Sequence, residues 1–168
     1  MIDDVTGLPS EPQLFARLED ELDRVRRYGR PLSVVMVDID RLRSINEQTH
    51  RLFGSYVLRA VGELLARNLR SCDAVFRYEG DEFVAILPET TADAALVAAE
   101  RARRLVESQR FESSPWSIQV TVSVGVAGAA GTQDETARSL VRSVDVATET
   151  AKREGRNRCA LARAVATA

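Results

Sequence analysis

The chain has 168 residues, of which 45% are apolar and 29% charged, with a net charge of −2. That length and balance fit one soluble domain with a sizeable core, and the near-neutral charge shows no polyanion-wrapping surface, so DNA is not an expected partner. No apolar run is long enough to span a bilayer and the first residues do not read as a signal peptide, while two cysteines without metal-ligand spacing fit a reduced cytoplasmic setting.

Leu14, Phe15, Leu18, Leu22 and Val25 recur at helical spacing and predict a helix over 12–28, stopped by Gly29-Arg30-Pro31. Residues 31–39 read as a buried strand, because Ser33 to Val37 is a continuous run of small or apolar residues. It ends in Asp38 and Asp40, which a two-residue spacing puts on one face. A short helix is expected from 41 to about 49. A longer one follows over 54–69, with Val57, Leu58, Val61, Leu64 and Leu65 on one side. Residues 74–87 predict a β-hairpin turning at Glu79-Gly80, where glycine permits the required backbone angles. An Ala-rich helix is expected over 91–108. Val120, Val122, Val124 and Val126 alternate within a half-buried strand over 118–127. A last long helix occupies 134–153, closed by Gly155, and Cys159-Ala160-Leu161 is a candidate final strand. The Ala-rich end, 164–168, is expected to fray.

This order, with paired strands between helices, predicts an α+β fold: a mostly antiparallel central sheet flanked by helices. Its β-α-β-β-α-β part matches a ferredoxin-like unit. Such an arrangement sets the first strand beside the hairpin, so Asp38 and the Asp81-Glu82 pair can converge.

Asp81 and Glu82 open a strand although both are poor strand formers and repel each other. One explanation is a solvated hairpin tip; the other is a compensating cation. Two acidic strand ends in one small domain favour a shared hard-cation site with oxygen ligands, the kind in which Mg²⁺ takes one or two carboxylates and substrate phosphates complete the shell. His50 is the only histidine, so neither a histidine metal cage nor a Ser-His-Asp triad is expected.

Six segments in order carry a resemblance. They are Asp3-Asp4-Val5-Thr6-Gly7-Leu8-Pro9, Asp38-Ile39-Asp40, Ile45-Asn46, Glu79-Gly80-Asp81-Glu82-Phe83, Val122-Ser123-Val124-Gly125-Val126-Ala127 and Ala151-Lys152-Arg153-Glu154-Gly155-Arg156-Asn157. Together they resemble the GGDEF domains, the nucleotide cyclases of bacterial second-messenger signalling, over nearly the whole chain. A single domain over 1–168 is expected, as a piece of a longer signalling protein. Glu79 departs from the family's first glycine, and Leu42-Arg43 stand where Phe-Lys is usual.

The resemblance implies a reaction. Each domain holds one nucleoside triphosphate, and two domains meet as a homodimer. Each 3′-hydroxyl attacks the α-phosphate of the other nucleotide, giving a 3′,3′-cyclic dinucleotide and two pyrophosphates. By family position, Asp38, Asp81 and Glu82 hold two Mg²⁺ ions per nucleotide site (Mn²⁺ being an alternative), assisted by the Ile39 carbonyl. Asp81 or Glu82 accepts the hydroxyl proton. Leu42 and Arg43 lie at the helix start that meets the phosphates. Lys152 and Arg156, four apart near the end of the last helix, share a face; they either complement its dipole or, by family position, reach the terminal phosphates.

The base pocket is the main departure. Asn46 matches the family's guanine-reading Asn, but Ser55 follows Gly54 where the family has Asp. A carboxylate suits guanine N1–H and its amine, whereas a serine hydroxyl accepts from guanine N1–H or donates to adenine N1. Ser55 therefore resembles the promiscuous subgroup that uses GTP and ATP and makes cyclic GMP-AMP alongside cyclic di-GMP. The alternatives are a strict GTP enzyme with Ser55 serving as a helix N-cap, or a silent cyclic-dinucleotide receptor. Arg70 and Asp73 match the family's Arg-x-x-Asp inhibitory product site, an allosteric position, or else form a surface ion pair.

Overall fold

The computed structural model describes residues 1–163. The expected frayed tail over 164–168 lies outside them. Helix α1 (Glu11–Tyr28) starts after Ser10, whose N–H donates to the Gln13 side chain at 3.1 Å. Strand β1 (Leu32–Ile39) follows, then α2 (Leu42–Gln48) and α3 (Arg51–Arg67). The hairpin is β2 (Ala74–Arg77) with β3 (Glu82–Pro88), leading into α4 (Ala92–Ser108). A small pair, β4 (Phe111–Ser113) and β5 (Trp116–Ile118), precedes β6 (Val122–Gly128), α5 (Ala137–Arg153) and β7 (Arg158–Leu161).

The five-stranded sheet has the order β2-β3-β1-β6-β7, antiparallel except for the β6–β7 pair. β1 is central and buried along its whole length, as its unbroken apolar run requires. Its side chains alternate between two cores. Val35, Val37 and Ile39 pack with α3 and α4; Val34 and Met36 pack with α1 and α5. The predicted α+β architecture and the neighbouring of β1 and the hairpin both hold.

Four expectations need correction. The hairpin turns about Gly80-Asp81 rather than Glu79-Gly80: the Glu82 N–H donates to the Glu79 carbonyl at 2.6 Å, and Gly80 sits at φ 42°. The stretch 118–127 is not one strand, because Ile118 pairs with Phe111 in the β4–β5 hairpin and only Val122 onward enters the main sheet. β6 is covered on both faces, not half-buried. Its alternation is one of size, with Val122, Val124 and Val126 towards α4 and the small Ser123, Gly125 and Ala127 towards α5. Finally, α3 begins at Arg51 and is capped by His50, whose ring accepts from the Leu52 N–H at 3.1 Å. Ser55 lies inside that helix and is not its cap.

Candidate active site

The antiparallel register sets Asp38 of β1 directly opposite Glu82 of β3. Both lie on the sheet face that carries Met36 and Val84 towards α5, so the two carboxylates share a side. Asp81 occupies the turn. Its carbonyl accepts from the Ile39 N–H at 3.1 Å, which fastens the turn to the end of β1. Arg77 braces it from behind, donating to the Gly80 carbonyl and, at 3.1 Å, to Asp3. As a result Asp38, Asp81 and Glu82 each offer a carboxylate oxygen, all within 4.8 Å of one another.

These carboxylates are crowded and only partly hydrated. Asp38 is 3% exposed. Burial, opposed by Lys152 and reinforced by the Asp81 charge, pushes its carboxyl up to about 6. Burial and the charges of Asp38 and Asp145 push Glu82 up to about 7. From α5, Lys152 forms an ion pair with Asp38 and hydrogen-bonds Glu149 at 2.8 Å. Burial opposes its charge, but these two partners outweigh it and hold the ammonium above its ordinary value. Three oxygen donors with raised affinity for positive charge fit a hard divalent cation such as Mg²⁺. Asp40 stands outside this group. Its carboxylate is taken by the Thr121 and Ser123 hydroxyls, both at 2.7 Å, and by the Asn157 N–H at 3.1 Å.

The expected base-reading residues meet where α2 and α3 cross. Asn46 is half-buried on α2, and its Oδ1 is buried without a hydrogen-bond partner among the described residues. Gly54 of α3 packs against that amide so closely that a Cβ there would fall 1.6 Å from Oδ1. Gly54 therefore leaves room for Asn46 in this rotamer, which any side chain at 54 would displace, a reason invisible in the sequence alone. Ser55 follows it, half-buried, one residue along the helix. Leu42 is buried at the first position of α2, directly after Arg41 in the left-handed region at φ 57°. Arg43 is exposed and pairs with Glu47 at 3.2 Å, an i,i+4 contact of small energetic weight.

Lys152 and Arg156 do not share a helix face. α5 ends at Arg153, and Arg156 projects from the following turn at φ 66°, beside a cleft of about 500 Å³ also walled by Arg41 and Ser44. Among the described residues its guanidinium forms no ion pair. Glu79, the departure from the family pattern, is exposed at the hairpin tip. Arg70 and Asp73 lie away from the carboxylates and hold each other through two side-chain hydrogen bonds of 3.0 and 3.2 Å. Arg70 also donates to Thr90 Oγ1 at 2.5 Å. Asp145 was not singled out by sequence reasoning. Asp145, Glu149 and Lys152 recur at i, i+4 and i+7 on α5, and that spacing was the available signal.

Known proteins resemble this chain in sequence and in fold. The family described as "Diguanylate cyclase, GGDEF domain" matches residues 1–158. Diguanylate cyclase DosC of Escherichia coli (strain K12) is 37% identical over 151 residues, covering 89% of this chain and 32% of that protein. Response regulator PleD of Caulobacter vibrioides (strain NA1000 / CB15N) is 36% identical over 157 residues, covering 92% of this chain and 34% of PleD. The chain thus spans about a third of the length of these relatives. Among solved structures, the GGDEF domain of DgcB from Caulobacter crescentus, in complex with c-di-GMP, superimposes with a TM-score of 0.90 at 25% identity, over 97% of this chain and 93% of that one. Matched by the family over residues 1–158 and more than a third identical to these relatives over the aligned stretch, the chain belongs to the GGDEF diguanylate cyclase family.

Proposed function

We propose that this domain is a dinucleotide cyclase that condenses two nucleoside triphosphates into a 3′,3′-cyclic dinucleotide. The observation that carries the reading is the convergence of Asp38, Asp81 and Glu82 at adjoining strand ends, with Lys152 beside them. When bound, Mg²⁺ (two ions per nucleotide site, with Mn²⁺ able to substitute) lowers the pKa of the attacking hydroxyl and neutralises charge on the departing pyrophosphate. Asp38, Asp81 and Glu82, with the Ile39 carbonyl, hold the metal. The 3′-oxygen forms a bond to the α-phosphorus of the opposing nucleotide as the bond to the β-phosphate oxygen breaks. Asp81 or Glu82 takes the hydroxyl proton. The same exchange in the opposite sense closes the ring and releases the second pyrophosphate. Because one site holds one nucleotide, two copies must face each other as a homodimer. Lys152, Arg156, Arg43 and the backbone at Leu42 serve the triphosphate.

Base choice follows from Asn46 and Ser55. The Asn46 Oδ1, which has no hydrogen-bond partner among the described residues, supports a role in reading a base edge. A hydroxyl at Ser55 answers either purine by rotating, where a carboxylate would meet the adenine N1 lone pair, so discrimination falls by about 1–3 kcal/mol. We therefore assign GTP and ATP as substrates and cyclic GMP-AMP, alongside cyclic di-GMP, as product. Arg70 and Asp73 form the allosteric site for that product, in the cytoplasm where such messengers are made. The test is to incubate the protein with Mg²⁺ and GTP, ATP or both, and to identify the products. Mixed product supports the reading. Cyclic di-GMP unchanged by ATP leaves a strict GTP enzyme, and no product in any mixture leaves a cyclic-dinucleotide receptor. Ser55→Asp should move output towards cyclic di-GMP; an unchanged product ratio removes the pocket argument.

A further inference from the structure

The turn that presents Arg156 is unusual. Arg156 and Asn157 are consecutive non-glycine residues in the left-handed region, at φ 66° and 46°. Single residues adopt this conformation at a cost, and two in succession persist only where their surroundings fix them. The helix end holds one side, the Arg156 N–H donating to the Ala151 carbonyl at 3.0 Å, and Asn157 holds the other. Its N–H donates to Asp40 Oδ2 at 3.1 Å, its Oδ1 accepts from Arg103 at 2.8 Å, and its Nδ2 donates to Glu107 at 3.2 Å. All the polar groups of its side chain are engaged. Asp40, 7% exposed, is held in turn by the Thr121 and Ser123 hydroxyls. Its own N–H donates to the Thr121 carbonyl at 2.9 Å. The Asp40 carboxylate is thus a knot joining the end of β1, the start of β6 and the turn after α5. Sequence spacing suggested a second acidic group beside Asp38; the structure instead spends this carboxylate on the backbone of the residue next to Arg156.

We propose that Asp40 is a positioning residue: acting through the Asn157 backbone, it holds the Gly155–Asn157 turn so that the Arg156 guanidinium faces the triphosphate. This rests on the reading of Arg156 as a phosphate-binding group. Asp40 touches neither nucleotide nor metal in this scheme. An Asn at this position keeps one oxygen for the Asn157 N–H and presents an amide to Ser123, whose hydroxyl can turn round and accept. An Ala leaves the Asn157 N–H without its partner.

The experiment is a double-mutant cycle read by equilibrium binding of a non-hydrolysable GTP analogue and by KM against kcat. Arg156→Ala should weaken binding about tenfold, the loss of one charged contact. Asp40→Ala should approach the same loss, appear mainly in KM, and add nothing in the Arg156→Ala background. Asp40→Asn should recover most of the wild-type affinity. Should Asp40→Ala fail to fold, Asp40→Ser carries the test, since its hydroxyl can stay paired with the Thr121 or Ser123 hydroxyl but is too short to reach the Asn157 N–H as well; it too should weaken binding only while Arg156 is present. Losses that multiply in the double variant overturn the inference, as does wild-type affinity in both Asp40→Ala and Asp40→Ser. A wild-type protein that fails to bind the analogue overturns the cyclase reading itself, and the role of Arg156 with it. One that binds while the losses multiply overturns the Asp40 inference alone.

Discussion

Gly125 is the point at which α5 rests on the sheet, and Gly125→Ala is the sharpest test of how the site is assembled. A Cβ at this position would lie 2.4 Å from the Val144 carbonyl, 2.4 Å from Thr148 Oγ1 and 2.6 Å from the Thr148 N. Two of these three atoms are helix backbone, so no change of rotamer relieves the clash. Restoring an ordinary contact of about 3.4 Å requires α5 to retreat by about 1 Å. The helix buries Leu140, Val141, Val144, Ala147 and Ala151 against the sheet, and all of them loosen together. Overpacking of this kind costs about 1–3 kcal/mol. In a domain of this size each kcal/mol is worth about 2–4 °C, so the thermal midpoint should drop by about 2–12 °C. Lys152 lies one turn beyond Thr148 and retreats from Asp38 with the helix. Product formation at a temperature where the variant remains folded should therefore fall as well. Gly62→Ala is the control, since its Cβ would meet only side-chain atoms, of Phe83 and Leu8 at 3.1 and 3.2 Å, and asks them to shift by a few tenths of an ångström rather than displacing a helix backbone. Melting followed by circular dichroism decides the matter. A Gly125→Ala midpoint equal to that of Gly62→Ala would refute the seating of α5 on β6.

Three further outcomes follow from the same structure. Glu82→Gln should abolish product formation while raising the thermal midpoint of the metal-free protein at pH 8, because it removes one of several crowded negative charges; a lowered midpoint would contradict the crowding. In the metal-free protein the folded-state pKa of Asp38 (about 6) and of Glu82 (about 7) lie above their ordinary values. Folding then favours their protonated forms, so this contribution is present below about pH 4 and is lost as pH rises through about 6 to 7. The midpoint should fall across that window and flatten when Mg²⁺ is added; a rise would reverse the assigned sign. Cys72 is exposed, whereas burial and the neighbouring Glu100 push the Cys159 thiol up to about 12. At about pH 8 an aromatic disulfide reagent should titrate one thiol in the folded protein and two after denaturation, and rapid modification of both would show Cys159 to be accessible.

What could be read in the sequence divides along physical lines. The buried run of β1, the periodicity of the helices and the glycine of the hairpin are local signals, and they placed Asp38 beside Asp81 and Glu82 correctly. The β4–β5 hairpin carries only three residues per strand, too few for alternation to register. In β6 the valines alternate with small residues that face a helix, so an apparent solvent side was in fact a close helix contact. Ser55 looked like a cap because serine favours helix starts, yet the cap fell to His50, whose ring also stacks against Trp116 at 6.5 Å. Helical spacing put Lys152 and Arg156 together until the helix stopped at Arg153. The stop itself was legible, in Gly155; the course of the turn beyond it, tied to Asp40 from far away in the chain, is a long-range contact that no local pattern encodes.

The account stands on three acidic side chains from β1 and the hairpin gathering round divalent metal. The most direct measurement is anomalous diffraction from crystals grown with Mn²⁺ and a non-hydrolysable GTP analogue. Manganese peaks bounded by the carboxylates of Asp38, Asp81 and Glu82 and by the analogue's phosphates are the predicted result. Nucleotide bound with no manganese at these carboxylates, or manganese held elsewhere on the domain, would contradict it.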